Sequence, residues 1–146
     1  MAGVHFSFYD FPSLLKLNMG IADRLDESRA ECFTVLFCDY TKYSDATLQE
    51  SLKIVTRDSD SIVHFDKYYF FVFPYTDKYG TSIVKDKLVD VLDNKELKTL
   101  AISYPIDGET PKELLAELQF QLFQKYSVDL ECFDNKMFEK SGAMSR

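Results

Sequence analysis

Few residues in this 146-residue chain have the type and spacing to do distinctive chemistry. The only histidines are His5 and His64, and no His-x-His or His-x-x-x-His spacing exists to chelate a metal. The cysteines, Cys32, Cys38 and Cys132, are odd in number and lack a Cys-x-x-Cys pair, which speaks against a disulfide framework and a zinc site. Cys32 and Cys38 fall on one predicted strand at a spacing that points both to one face, too far apart to bridge. They are expected to be small buried hydrophobes. Arg57-Asp58-Ser59-Asp60 sets a guanidinium beside two carboxylates, the composition of a solvated turn. Asp23, Asp26 and Glu27 with Arg24 and Arg29 have the look of a solvated helix end. Six tyrosines, Tyr40, Tyr43, Tyr68, Tyr69, Tyr75 and Tyr79, concentrate in the middle of the chain. No catalytic group, metal site or cofactor follows from these residues.

The composition narrows the classes further. Hydrophobic residues make up 46% and aromatics 15%, enough for one sizeable core and too many for a disordered chain. A formal net charge of -7 repels phosphate backbones and anionic lipid, so neither nucleic acid nor a membrane surface is an expected partner. No apolar run approaches the ~20 residues of a membrane span. The first residues, MAGVHFSFYDFPSLL, lack a basic leader and a clean apolar stretch, so no secretory signal is expected and the location expected is cytoplasmic.

The elements that must position any site are legible from period and punctuation. Pro12–Glu27 is expected to be a helix with Leu14, Leu15, Leu17, Ile21, Ala22 and Leu25 on a broad apolar face. Glu31–Asp39 has the unbroken apolar character of a central strand covered on both faces. Ser44 or Asp45 can cap a helix to about Val55 through Leu48, Leu52, Ile54 and Val55. Ser61–Phe65 and Tyr68–Phe73 flank Asp66-Lys67 as a two-residue hairpin. Ser82 can cap a third helix carrying Ile83, Val84, Leu88, Val91 and Leu92. Leu97–Tyr104 is expected as a strand. Thr110-Pro111-Lys112-Glu113 is a capping-box start to a helix reaching about Tyr126, and Val128–Phe133 is expected as an edge strand. The order β-α-β-β-α-β predicts an α+β fold, a ferredoxin-like antiparallel sheet with helices on its faces, plus an N-terminal helix. The expected division is an N-terminal helical segment over 1–30, the main domain over 31–133 and a C-terminal tail over 134–146.

Between about Cys32 and Tyr126 the local text resembles the diguanylate cyclase (GGDEF) family. ISYPIDGETPKELL is similar to that family's strand, Pro-x-Asp-Gly turn and Glu-Leu-Leu helix. The second hairpin strand ends in Pro74, as the family's signature strand ends, and Asp39 stands where the family has a metal-binding Asp. The resemblance implies a GGDEF/nucleotide-cyclase-like fold. The family uses two carboxylates on adjacent strands to hold two cations for phosphoryl transfer. Counting back from Pro74, its signature positions are Phe65, Asp66, Lys67, Tyr68 and Tyr69 here, with neither the glycine pair nor the acidic pair. The segment from Asp39 to Thr47 is too short for the family's guanine-recognising stretch. Leu118-Gln119 and Tyr126 replace its Ala-Asp pair and its phosphate-contacting lysine. Asp39 would therefore be a vestigial metal position.

Two further features bear on function through this resemblance. Arg57 and Asp60 match the family's Arg-x-x-Asp site for cyclic di-GMP, where Arg can grip guanine or phosphate bidentately and Asp can accept from guanine. Several tyrosines fall near the place of the family's nucleotide. They either fill a vacated pocket or form a partner-binding patch, with Tyr68, Tyr75 and Tyr79 as its candidate surface. The leading expectation is a non-catalytic, degenerate GGDEF-like signalling or protein-interaction domain of bacterial type, not an enzyme. The alternatives are a cyclic di-GMP receptor using Arg57 and Asp60, a nucleotide-handling enzyme with an unrecognised site, and an unrelated ferredoxin-like domain.

Overall fold

The computed structural model describes residues 3–25, 30–93 and 96–130. Its centre is a five-stranded sheet in the order β1-β3-β4-β2-β5, formed by β1 (Val4–Phe6), β2 (Glu31–Asp39), β3 (Ser61–Phe65), β4 (Tyr68–Pro74) and β5 (Thr99–Pro105). The pairs β3–β4, β4–β2 and β2–β5 are antiparallel, and β1 joins the outer edge of β3 in parallel. The helices are α1 (Phe11–Arg24), α2 (Asp45–Val55), α3 (Lys78–Leu92) and α4 (Pro111–Tyr126). The four strands from β2 to β5 with α2 and α3 between them form the expected ferredoxin-like α+β plan.

Central position explains the composition of β2 and β4, whose interiors are buried throughout. Phe33, Val35, Phe37, Phe70 and Val72 face α1 and α4, while Leu36, Cys38, Tyr69, Phe71 and Phe73 face α2 and α3. Phe70 touches Phe11 and Phe37 at centroid separations of 5.3 and 5.4 Å. Each fully buried ring of this kind contributes about 2–3 kcal/mol through area removed from water.

Local chemistry sets the ends of the elements. The Ser44 hydroxyl accepts from Thr47 N at 3.2 Å to cap α2. The Thr110 hydroxyl accepts from Glu113 N at 3.1 Å, and Glu113 reaches back to Glu109 N at 2.9 Å, opening α4 behind Pro111. The β3–β4 hairpin turns on Asp66 at φ 52, a left-handed conformation that Asp tolerates. At Gly108 a side chain would be excluded, because a Cβ there would lie 2.7 Å from Leu114 N. Asp107 holds the same turn by accepting from Ser103 N at 2.8 Å and from Lys78 Nζ at 2.7 Å.

Several expectations need correction. β1 and the short 3-10 turn Phe8–Asp10 precede α1, which ends at Arg24 and not near Glu27. Of the broad apolar face expected on α1, Leu14, Leu15 and Ala22 are buried, whereas Leu17, Ile21 and Leu25 are exposed. Ile54, Ile83, Val91 and Phe123 are exposed on their helices as well. α3 begins four residues before the expected Ser82 cap, because the Asp77 carboxylate accepts from Gly80 N at 2.8 Å and caps it first. β5 starts at Thr99 and not Leu97. Cys32 and Cys38 are both buried but on opposite faces, because a bulge between Glu31 and Phe33 turns Cys32 over. Residues 128–130 carry no strand, and the rest of the expected edge strand, the tail 134–146, Cys132 and the charged residues Asp26, Glu27 and Arg29 lie outside the described residues.

Candidate functional site

The register β2–β4 pairs Asp39 with Tyr68 and Cys38 with Tyr69, which brings the end of β2 beside the hairpin turn. Tyr40 N donates to Lys67 O at 2.8 Å and closes this corner. Asp39 faces its own loop: its Oδ1 accepts from Thr41 N at 2.9 Å and from Thr41 Oγ1 at 2.7 Å. The Lys67 ammonium donates to the carbonyl oxygen of Tyr43 and lies 3.8 Å from the Asp45 carboxylate. Positive charge from the turn thus sits at the start of α2.

Aromatic side chains pack the same corner. Tyr40 is fully buried, edge-on to Tyr69 at 5.2 Å and to Tyr43 at 5.9 Å. Burial pushes the Tyr40 hydroxyl far above its ordinary pKa, with the neighbouring Cys38 adding to the rise and Ser51 opposing it. Burial also raises the Cys38 thiol, reinforced by Asp39, so it remains protonated and inert. His64 stacks on Tyr69 at 4.8 Å, and its Nδ1 sits 3.1 Å from Asp66 O. His5 is exposed on β1.

Arg57 and Asp60 lie at the other end of β3. Asp60 is 1% exposed, and β1 reaches its main chain, with Val4 N donating to Asp60 O at 2.9 Å. Its carboxylate accepts from Arg57 N at 2.8 Å and stands 3.7 Å from the Arg57 guanidinium, which projects into solvent. Desolvation raises the Asp60 pKa, and the three Arg57 interactions oppose that rise. The pair closes the turn on itself.

The three candidate surface tyrosines do not form one surface. Tyr68 stays at the hairpin, half-buried against Phe37 at 5.8 Å. Tyr75 follows the other end of β4, roughly 20 Å away at about 3.3 Å per residue, and Tyr79 lies on α3 beyond it. Both are exposed. Tyr75 has φ 56, an uncommon conformation for a bulky side chain. Its ring borders an apolar groove of about 300 Å³ with Phe6, Leu14, Leu17, Ile21 and Phe33. The pattern reading missed this groove, although the six apolar positions expected on the first helix were more than one core-facing stripe needs.

This arrangement of sheet, hairpin corner and flanking helices is a GGDEF-like fold. A solved structure of a sensory box/GGDEF family protein from Caulobacter crescentus CB15 is similar to it, with a TM-score of 0.62 at 15% identity, covering 84% of this chain and 93% of that one. No family model matches the chain, and no curated protein matches it. Among the described residues no helix is long and apolar enough to cross a membrane.

Proposed function

We propose that this chain is a GGDEF-fold domain without catalytic activity that acts in signalling by binding another protein, in the cytoplasm of a bacterium. The charge at the hairpin corner carries the reading. Two hard cations need several oxygen ligands between them. The strand-end carboxylate, Asp39, is already engaged by Thr41, the Asp45 carboxylate lies 3.8 Å from the Lys67 ammonium, and Asp66 is the exposed residue of the turn itself. That donor set does not fit a pair of divalent cations. Among the described residues no three His, Cys, Asp or Glu side chains gather to hold one. Tyr40, Tyr43 and Tyr69 occupy the space between the strand end and α2 with packed rings.

Protein binding is supported by the exposed aromatics at the opposite end, Tyr75 and Tyr79, and by the groove that Tyr75 borders. The cyclic di-GMP receptor reading ranks behind, since the Asp60 carboxylate is buried and engaged by Arg57. Incubation of the purified protein with GTP and Mg²⁺ or Mn²⁺ is expected to yield no cyclic di-GMP and no hydrolysis. Turnover that disappears in Asp39→Ala overturns the reading. Calorimetry with cyclic di-GMP is expected to show no binding. Binding weakened by ~1.5–3 kcal/mol in Arg57→Ala would put the receptor reading first.

A further inference from the structure

Two outward helix faces on the α1/α4 side of the sheet carry opposite charge around exposed apolar side chains. On α1, Lys16 and Arg24 flank Leu17 and Ile21, with Leu17 60% exposed, and among the described residues no carboxylate lines the same surface. Gly20 lies between them, and a Cβ there would meet no atom within 4 Å, so the helix has a shallow notch. Elsewhere in the same layer, the turn after β5 and α4 present Glu109, Glu113 and Glu117 around Ile106 and Phe120, which are 59% and 56% exposed. Among the described residues no lysine or arginine lines that surface. Asp107 at its edge is already paired with Lys78.

Exposed Phe and Ile ringed by charge of one sign mark a contact surface, since an isolated helix face in water would be polar. The complementary surface is on the same molecule, but α1 and α4 are fixed in one layer and their outer faces cannot meet within one chain. We propose that α1 of one copy docks on the α4 face of a second copy, with Phe120 entering the Gly20 notch and Lys16 and Arg24 meeting Glu109, Glu113 and Glu117. The two faces differ, so the contact is heterologous and leaves a free face at each end. Association continues past a dimer. The overall charge of -7 opposes association generally, so the contact depends on local pairing of charge. It does not depend on whether the hairpin corner is catalytic, and the GTP assay and the experiment below fail separately.

Light scattering after size exclusion tests the proposal, with circular dichroism to confirm folding. The wild-type mass is expected to rise beyond that of a dimer between roughly 10 µM and 500 µM and to fall back as salt is added. Lys16→Glu/Arg24→Glu and Glu109→Lys/Glu117→Lys are each expected to be monomeric, and their mixture is expected to associate again. Gly20→Leu is expected to keep or raise Tm while weakening association by about tenfold or more, because it fills the notch without meeting the fold. If a charge reversal unfolds the chain, Lys16→Gln/Arg24→Gln replaces it with the same expectation of a monomer. A wild type that stays monomeric, a closed dimer, or a mixture that fails to associate overturns the proposal. So does assembly of either reversed variant alone, which would leave these faces to a different partner.

Discussion

The Lys67 ammonium donates to the carbonyl oxygen of Tyr43, tying the hairpin turn to the loop before α2. The tie crosses the corner where β2 ends, and Asp45 at the first turn of α2 adds a carboxylate 3.8 Å away. It makes the turn a structural brace at the position the GGDEF resemblance assigns to catalysis. Lys67→Met keeps the aliphatic stem and removes the donor. It is expected to cost about 0.5–1.5 kcal/mol in urea denaturation, the range for one hydrogen bond. An unchanged midpoint would show that water replaces the lysine at no cost.

Gly108→Ala tests the turn between β5 and α4. The added methyl would stand 2.7 Å from Leu114 N and 3.0 Å from Glu113 C, both main-chain atoms that cannot swing aside. A loss of about 1–3 kcal/mol is expected, as for overpacking, read as a lowered Tm. Alanine at exposed Gly20 is expected to do the opposite and raise Tm, since Gly within a helix costs about 0.5–1 kcal/mol relative to Ala.

Asp60 gives the stability a definite pH dependence. Burial raises its folded pKa, so between the ordinary carboxylate value and that raised value the folded chain holds the proton that the unfolded chain releases. The contribution of this group to stability is full below about pH 4 and declines as pH rises through the folded pKa. Comparing Asp60→Asn with wild type by urea denaturation at a series of pH values checks the sign. The wild type is expected to lose stability relative to the variant as pH rises, and a difference that does not change with pH refutes it.

Tyr75 separates backbone from side chain. Its φ of 56 costs a bulky residue about 1–2 kcal/mol relative to glycine, and the residue is 54% exposed. Tyr75→Gly is therefore expected to leave Tm level or slightly raised. A fall of several degrees would mean that the ring's contacts along the groove outweigh the strained backbone.

The hairpin, both capped helices α2 and α4, and the central strands were legible because each rests on local text: alternation, a cap at the right spacing, a turn residue. β1 was not legible. Its three exposed residues show no period, and its partner Ser61–Val63 lies far along the chain. The burial of Asp60 was also illegible, since a charged residue in a polar turn reads as solvated. The bulge that turns Cys32 to the other face leaves no mark in residue types. For the tyrosines, nearness in sequence misled, because β4 carries Tyr68 and Tyr75 to opposite ends of the sheet. The excess apolar width of α1 was visible, but a single chain could not say that part of it faces outward.

β1 has one more consequence, for solubility. A sheet margin invites other chains to add strands, and a brief margin gives them little to grip. Without Val4–Phe6, the five residues Ser61–Phe65 would form that margin, with Ile62 and Val63 now buried beside it. The three-residue strand substitutes a short, parallel border for a longer and more adhesive one. Shortening the chain to begin at Ser7 would bare it, and the fold would then be guarded against fibre-like stacking only by the charge on its surface.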